Sequence, residues 1–245
     1  MKKAKESGKN RFEIFEKNDN EDYAKRESFI NYTNLIKNAL DNSQIVPFFQ
    51  GIHDNKTNKI TKYEALARIV LNDRIISPYE FLEPAKLSGF LPEVTKMMID
   101  KIFQVMSKNK FEFSINISED DLAENYLIDY LNEKSKIYNI NPKRVILEIL
   151  EGVSAGGKKS QIKQLDILKS SGYKLAIDDF GAEYSNFERI LDLDIDFIKI
   201  DAKYIKDIDV NKRSYEIVRA ISFFARNVNI SCIAEFVHNQ SVQNI

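Results

Sequence analysis

Tryptophan is absent from the 245 residues, cysteine occurs once and histidine twice. The single cysteine, Cys232, excludes an intrachain disulfide and any zinc site built on cysteines. It lies in an apolar run, where a buried, inert thiol is expected. Two histidines, His53 and His238, are too few for a histidine-rich transition-metal site. Any metal would therefore be held by oxygen, which points to Mg²⁺, Mn²⁺ or Ca²⁺. Glycine and proline are scarce, at 8 and 5 residues, and no glycine-rich phosphate loop follows any predicted strand. Neither sign of charge is in excess: 36 Lys+Arg face 37 Asp+Glu, so no global basic field argues for a nucleic-acid polymer. No apolar run is long enough to span a bilayer, and no secretory leader is visible. A reducing cytoplasm is the default expectation, either for the chain alone or for the cytoplasmic part of a larger sensor protein.

What is present is a chain that is 43% hydrophobic and 30% charged, close in size to a one-domain α/β barrel. Residues 1–27 are strongly charged. Lys2 to Glu6 reads as helix, Gly8 as its stop, Arg11 to Phe15 as a short alternating strand and Asn18 to Asp22 as a linker. Arg26 to Leu40 places Phe29, Tyr32, Leu35, Ile36 and Leu40 at helical spacing. Strands at Ile45–Gln50 and Thr61–Val70, with a turn at Asp54–Asn58, read as a hairpin. Ser77-Pro78 opens a short helix with Ser77 as N-cap, and a longer helix covers about 91–107. Strand and helix then alternate: strands at 111–118, 145–151, 174–179, 197–201 and 230–236, helices at about 121–137, 159–171, 185–191 and 211–227. Such alternation with right-handed crossovers means a parallel sheet. An open doubly wound sheet is one solution, but a (β/α) barrel fits better. Seven strands are counted, and the chain stops soon after the seventh, so an eighth barrel strand is expected to be missing.

Each late strand carries a polar residue between apolar neighbours: Asn116, Glu148, Asp178-Asp179, Lys199 and Glu235. Strand two carries Glu64, with Arg68 four residues on. In a barrel these positions converge on the C-terminal mouth, where active sites sit. That many carboxylates cannot all stay ionised in a small volume unless cations bind. Two divalent ions, bridged by Asp178, would suit in-line phosphoryl displacement. Each residue alone is better read as a paired charge or a core amide at a barrel mouth. The convergence of seven such positions is what that blander reading explains badly.

These residues resemble the EAL domain family. Tyr63-Glu-Ala-Leu-Ala-Arg68 matches its signature. Ile115-Asn-Ile-Ser118, Leu147-Glu-Ile-Leu-Glu151, Ala176-Ile-Asp-Asp-Phe-Gly181, Ile198-Lys-Ile-Asp201 and Ala234-Glu235 match its further motifs in order. The resemblance covers about residues 30–245, giving a barrel domain over 28–245 that is incomplete at its C-terminal end. Lys3 to Phe12 is similar to the end of a GGDEF domain, so residues 1–27 would be the remnant and linker of an upstream GGDEF-like partner domain.

The resemblance implies a TIM-like (β/α)8 barrel whose first strand runs antiparallel. It also implies hydrolysis of cyclic di-GMP to 5′-pGpG with two Mg²⁺ or Mn²⁺. Glu64, Asn116, Glu148 and Asp178 would hold one ion; Asp178, Asp179 and Glu235 would hold the other. Lys199 would position or deprotonate the attacking water, with Glu235 as the alternative base. Gln50, Leu66 and Arg68 would lie against substrate, Arg68 on a phosphate. Glu151 would brace the loop after strand five, and dimerisation through the barrel is expected. The chain departs from the family pattern at Glu183 (usually Gly), at Phe236 (usually Gly) and at His238 (usually Glu). Gln50 is also followed by Gly51 instead of Pro. These departures leave a second reading open: an EAL domain that holds cyclic di-GMP or a partner without useful turnover.

Overall fold

The structure, a computed structural model, describes residues 17–124, 126–152, 159–182 and 187–245. The expected GGDEF-like stretch at Lys3 to Phe12 lies outside these residues. Helix α1 (Lys17–Asp41) includes Asn18–Asp22, which was expected to be a linker. No glycine or proline interrupts it, so nothing in the backbone stops the helix there.

Strands β1 (Ile45–Asp54) and β2 (Lys59–Leu71) form the expected antiparallel hairpin, with Gln50 opposite Glu64. Asp54 Oδ1 accepts from the N–H groups of Lys56 and Thr57 at 2.9 and 2.8 Å, which shapes the turn. A short strand, β3 (Arg74–Ile76), pairs antiparallel with β2 and was not anticipated, because three residues are too few to show alternation. Helix α2 (Pro78–Ser88) begins with proline at its first position. Glu80 Oε1 accepts from the Ser77 N–H at 3.3 Å, and Gly89 at φ +77° ends the helix. Helix α3 (Leu91–Met106) follows.

Five parallel strands complete the sheet: β4 (Glu112–Ile117), β5 (Val145–Leu150), β6 (Lys174–Phe180), β7 (Phe197–Ile200) and β8 (Ser231–Ala234). The order is β1-β2-β4-β5-β6-β7-β8, with β3 on the side of β2. The helix expected over 121–137 is two, α4 (Glu119–Ala123) and α5 (Leu127–Ile137). Between them Glu124 is extended, and Asp121 turns inward. Asp121 accepts from Ser118 N–H at 2.8 Å, from Thr95 Oγ1 at 3.0 Å and from the Tyr126 hydroxyl. This network stops the first helix and starts the second. Helices α6 (Lys159–Ser170), α7 (Phe187–Asp192), α8 (Ala202–Ile205), α9 (Lys212–Asn227) and α10 (Gln240–Gln243) follow.

The strands alternate between two environments, as a period of two requires. Phe113, Ile115, Ile117, Val145, Leu147, Ile149, Leu175, Ile177, Ile198 and Ile200 belong to the large core between sheet and helices. Ile146, Ala176 and Phe197 form a separate small cluster on the opposite, concave face. Lower in the barrel, Glu112 is held by Lys62 at 3.1 Å and by Lys174, and both ammonium groups lie near the Phe197 ring. The interior is thus filled below, and the polar residues above it face the mouth.

Among the described residues no strand joins β8 back to β1. Cys232 is exposed, contrary to the buried thiol expected from its apolar neighbours. Among the described residues its strand is the last in the sheet.

Candidate active site

Lys199 organises the mouth. Its Nζ lies 2.8 Å from Glu148 Oε2, 2.8 Å from Asp178 Oδ1, 3.0 Å from Glu235 Oε1 and 3.2 Å from Glu64 Oε1. One ammonium is shared by carboxylates from β2, β5, β6 and the end of β8. The strands deliver them by register: Glu64 pairs with Ser114, Asn116 with Glu148, Leu150 with Asp178, and Lys199 with Ile233. Lys199 is 2% exposed and Glu148 1%, so neither is solvated by bulk water. An ammonium has three protons to donate, and four carboxylates exceed that capacity. The Oε1 of Glu148 is buried and has no hydrogen-bond partner among the described residues.

The electrostatics follow from this crowding. Burial pushes Glu148 up to about 8; Glu64 and Asp178 add to the rise and Lys199 opposes it. Burial likewise raises Glu235 to about 7, with Lys199 lowering it and Asp178 raising it. Burial works against the charge on Lys199, but the four carboxylates outweigh it and hold the amine protonated. Asp179 is also raised, by burial first and then by Asp178 and Asp201. A further group forms at the rim, where oxygens of Asp178, Asp179 and Glu235 all lie within 4.8 Å of one another.

The loop after β6 is held tightly. Asp179 has φ +53° and Gly181 φ +93°. The Gly181 N–H donates to Glu151 Oε2 at 3.1 Å, so Glu151 contacts the loop that the sequence linked it to. A Cβ on Gly181 would meet Tyr204 Cε2 at 2.7 Å, which explains the glycine. Glu183 lies outside the described residues. On the other rim, Phe236 takes φ +53° and is 62% exposed. Its backbone adopts the left-handed conformation that a glycine would occupy at little cost, and this turn ends β8 at Ala234 instead of Phe236.

The remaining candidates are spread along the mouth. Gln50, Glu64, Leu66, Lys199, Glu235 and Phe236 line one open groove of about 1940 Å³ that runs from the mouth along the β1–β8 gap. Asn116 is exposed at the mouth beside Glu148 in register, with no side-chain bond to the lysine cluster. Arg68 stands apart: its Nη1 donates to the Ala67 carbonyl at 2.8 Å, and its guanidinium lies 5.7 Å from the Phe48 ring centre. Two residues went unnoticed in the sequence. Ser114 is buried beneath Asn116 with an unpartnered Oγ, and the period of two could have found it. Tyr204 donates to the Gly181 carbonyl at 3.0 Å, and nothing in its helical context signals that.

Residues 33–245 match the EAL domain family. The chain belongs to this family. Among curated relatives of this EAL domain, the cyclic di-GMP phosphodiesterase PdeB of Shewanella oneidensis is 28% identical over 246 residues, covering 98% of this chain and 29% of the relative. The probable cyclic di-GMP phosphodiesterase PdeA of Escherichia coli is 30% identical over 215 residues, covering 86% of this chain and 29% of the relative. The chain thus spans under a third of these relatives' length. In fold it superposes on the EAL enzyme Bd1971, in a form with cAMP and cyclic di-GMP bound. There the TM-score is 0.84 at 24% identity, over 90% of this chain and 62% of that one. The Xanthomonas citri FimX EAL domain, in complex with cyclic di-GMP, gives a TM-score of 0.82 at 19% identity, over 91% and 89%. The TIM-like curl and the antiparallel first strand are those of EAL structures.

Proposed function

We infer that this EAL domain is a phosphodiesterase that hydrolyses cyclic di-GMP to 5′-pGpG using two Mg²⁺ or Mn²⁺. The observation that carries the reading is the sharing of Lys199 by Glu64, Glu148, Asp178 and Glu235. The donor set fits a hard divalent ion. It is all oxygen, it holds more negative charge than one lysine balances, and the buried Oε1 of Glu148 has no partner. Glu64, Asn116, Glu148 and Asp178 would hold one ion, and Asp178, Asp179 and Glu235 the other. Bound there, two divalent ions would neutralise the carboxylates and would supply stabilisation of the charge on the attacking and leaving oxygens of an in-line displacement at phosphorus.

The chain's own residues do the rest. Lys199, kept protonated by its neighbours, would have N–H donors free to orient the attacking water once divalent ions take up the carboxylates that now occupy them. Glu235, raised toward neutrality, is the better placed of the two candidate bases to accept the water's proton. The new P–O bond forms from that water, the P–O3′ bond breaks, and the proton taken up by Glu235 returns through solvent to the departing 3′ oxygen, which leaves as a hydroxyl. Gln50 and Leu66, on the groove wall, would lie against the nucleotide, and Arg68, whose guanidinium lies near the Phe48 ring, would contact a phosphate.

One observation favours the second reading, a domain that binds cyclic di-GMP without turnover. Phe236, 62% exposed, lines the groove beside Glu235 at a position where the family pattern has glycine. Incubation with cyclic di-GMP and Mn²⁺, following pGpG, separates the two. Turnover that is lost in Glu64→Ala together with Mn²⁺ affinity supports the enzyme. Tight nucleotide binding with no product supports the binding module. Full turnover in Glu64→Ala would refute the ligand assignment.

A further inference from the structure

The end of β6, which carries Asp178 and Asp179, is anchored where it enters its loop, at both backbone polar atoms of Gly181. Gly181 gives its N–H to Glu151 Oε2 at 3.1 Å, and its carbonyl accepts from the Tyr204 hydroxyl at 3.0 Å. Glu151 follows β5 and Tyr204 lies in α8 after β7, so residues beyond both neighbouring strands meet on the loop of the strand between them. Two backbone bonds support the arrangement. Ala182 N–H donates to the Asp179 carbonyl at 3.0 Å, and Asp201 N–H donates to the Phe180 carbonyl at 3.3 Å.

The anchoring has something to hold. Asp179 sits at φ +53°, a conformation that a non-glycine residue leaves unless its surroundings fix it. That conformation places an Asp179 oxygen within 4.8 Å of oxygens of Asp178 and Glu235. The Tyr204 ring and its hydroxyl act differently. The ring fills the space that a Cβ at residue 181 would enter, at 2.7 Å from Cε2. The hydroxyl holds the Gly181 carbonyl, and together with the Glu151, Ala182 and Asp201 bonds it sets the twist of the Asp179–Gly181 backbone.

We propose that the Tyr204 hydroxyl is a positioning residue for the metal-holding carboxylates, acting through the Gly181 carbonyl to keep Asp179 turned toward Asp178 and Glu235. This rests on the metal-dependent reading above. The variant Tyr204→Phe keeps the ring and removes only the hydroxyl, so the packing against Gly181 survives.

Three measurements on the full chain test it. In metal-free protein, amide exchange at Gly181 and Ala182 becomes several-fold faster in Tyr204→Phe. Mn²⁺ affinity by titration calorimetry falls about three- to tenfold, the size expected for one lost hydrogen bond. Hydrolysis falls at limiting Mn²⁺ and recovers at saturating Mn²⁺, a split that general loosening of the fold would not give. Unchanged exchange together with unchanged Mn²⁺ affinity in Tyr204→Phe overturns the proposal. A melting temperature that drops while exchange elsewhere in the sheet rises equally also overturns it, because the hydroxyl would then be a general structural bond. Wild-type protein that takes up no Mn²⁺ refutes the phosphodiesterase reading and the clamp's purpose with it. Wild-type protein with tight Mn²⁺ uptake and an indifferent Tyr204→Phe refutes the clamp alone.

Discussion

Metal uptake at this mouth should expel protons, and the number is set by two carboxyls. Glu148 is raised from an ordinary 4.5 to about 8, and Glu235 from 4.5 to about 7. At pH 7 the first is then mostly protonated and the second partly so, and a divalent ion that needs both as carboxylates releases about one to two protons. At pH 9 both are largely ionised and the release falls toward zero. The sign for stability follows from the same shifts. Both folded-state values lie above the unfolded ones, so the metal-free native protein binds more protons than the unfolded chain between pH 4.5 and about 8. Metal-free stability therefore declines as pH rises through that window. The shift of Glu148 corresponds to up to about 5 kcal/mol. That rise already includes the opposing pull of Lys199, which stays charged across the window and adds no pH dependence of its own, so about 5 kcal/mol is the ceiling on the decline from Glu148. The assay is Mn²⁺ titration calorimetry at pH 7 and 9 in two buffers of different ionisation enthalpy. A binding enthalpy independent of buffer at pH 7 would show that no proton leaves, and the account of a crowded, partly protonated cluster would be wrong.

Lys199→Met removes the cation that four carboxylates share. The metal-free variant should lose about 3 kcal/mol in urea unfolding at pH 8.5 and clearly less at pH 6, where protonation of Glu148 substitutes for the missing charge. An equal loss at both pH values would contradict this. Gly181→Ala places a Cβ at φ +93° and 2.7 Å from Tyr204 Cε2, so it should cost at least about 1–2 kcal/mol and weaken Mn²⁺ binding. A neutral change would mean the loop can rebuild itself. Phe236→Gly relieves a left-handed non-glycine residue whose ring is mostly exposed. After the entropy cost of glycine, it should gain about 0.5–1 kcal/mol and open the mouth. A rise in the urea midpoint together with faster turnover is the expected result, and a fall in both would reverse the assignment of strain.

The sheet was legible because β5 and β7 are apolar on both faces except at one position each. Leu147-Glu148-Ile149 and Ile198-Lys199-Ile200 announce both a buried parallel strand and the residue that faces the mouth. Alternation also fixed which side each polar residue takes, since a slip by one would bury it in the helical layer. What sequence could not show is tertiary. Asp121 reads as a polar residue on a helix, but its bonds to Thr95 and Tyr126 break that helix in two. Cys232 reads as core, but its strand ends the sheet. The sharing of Lys199 was also hidden. The motifs supply a lysine and four carboxylates, and only the register brings their tips to one point.

That sharing has a mechanical side. Glu64 on β2 and Glu235 just past β8 hold the same ammonium, so the charge cluster ties the second strand to the last of the described strands as well as forming a chemical centre. Whatever displaces Lys199 from its four partners should also be felt as a change in spacing between β2 and the end of β8.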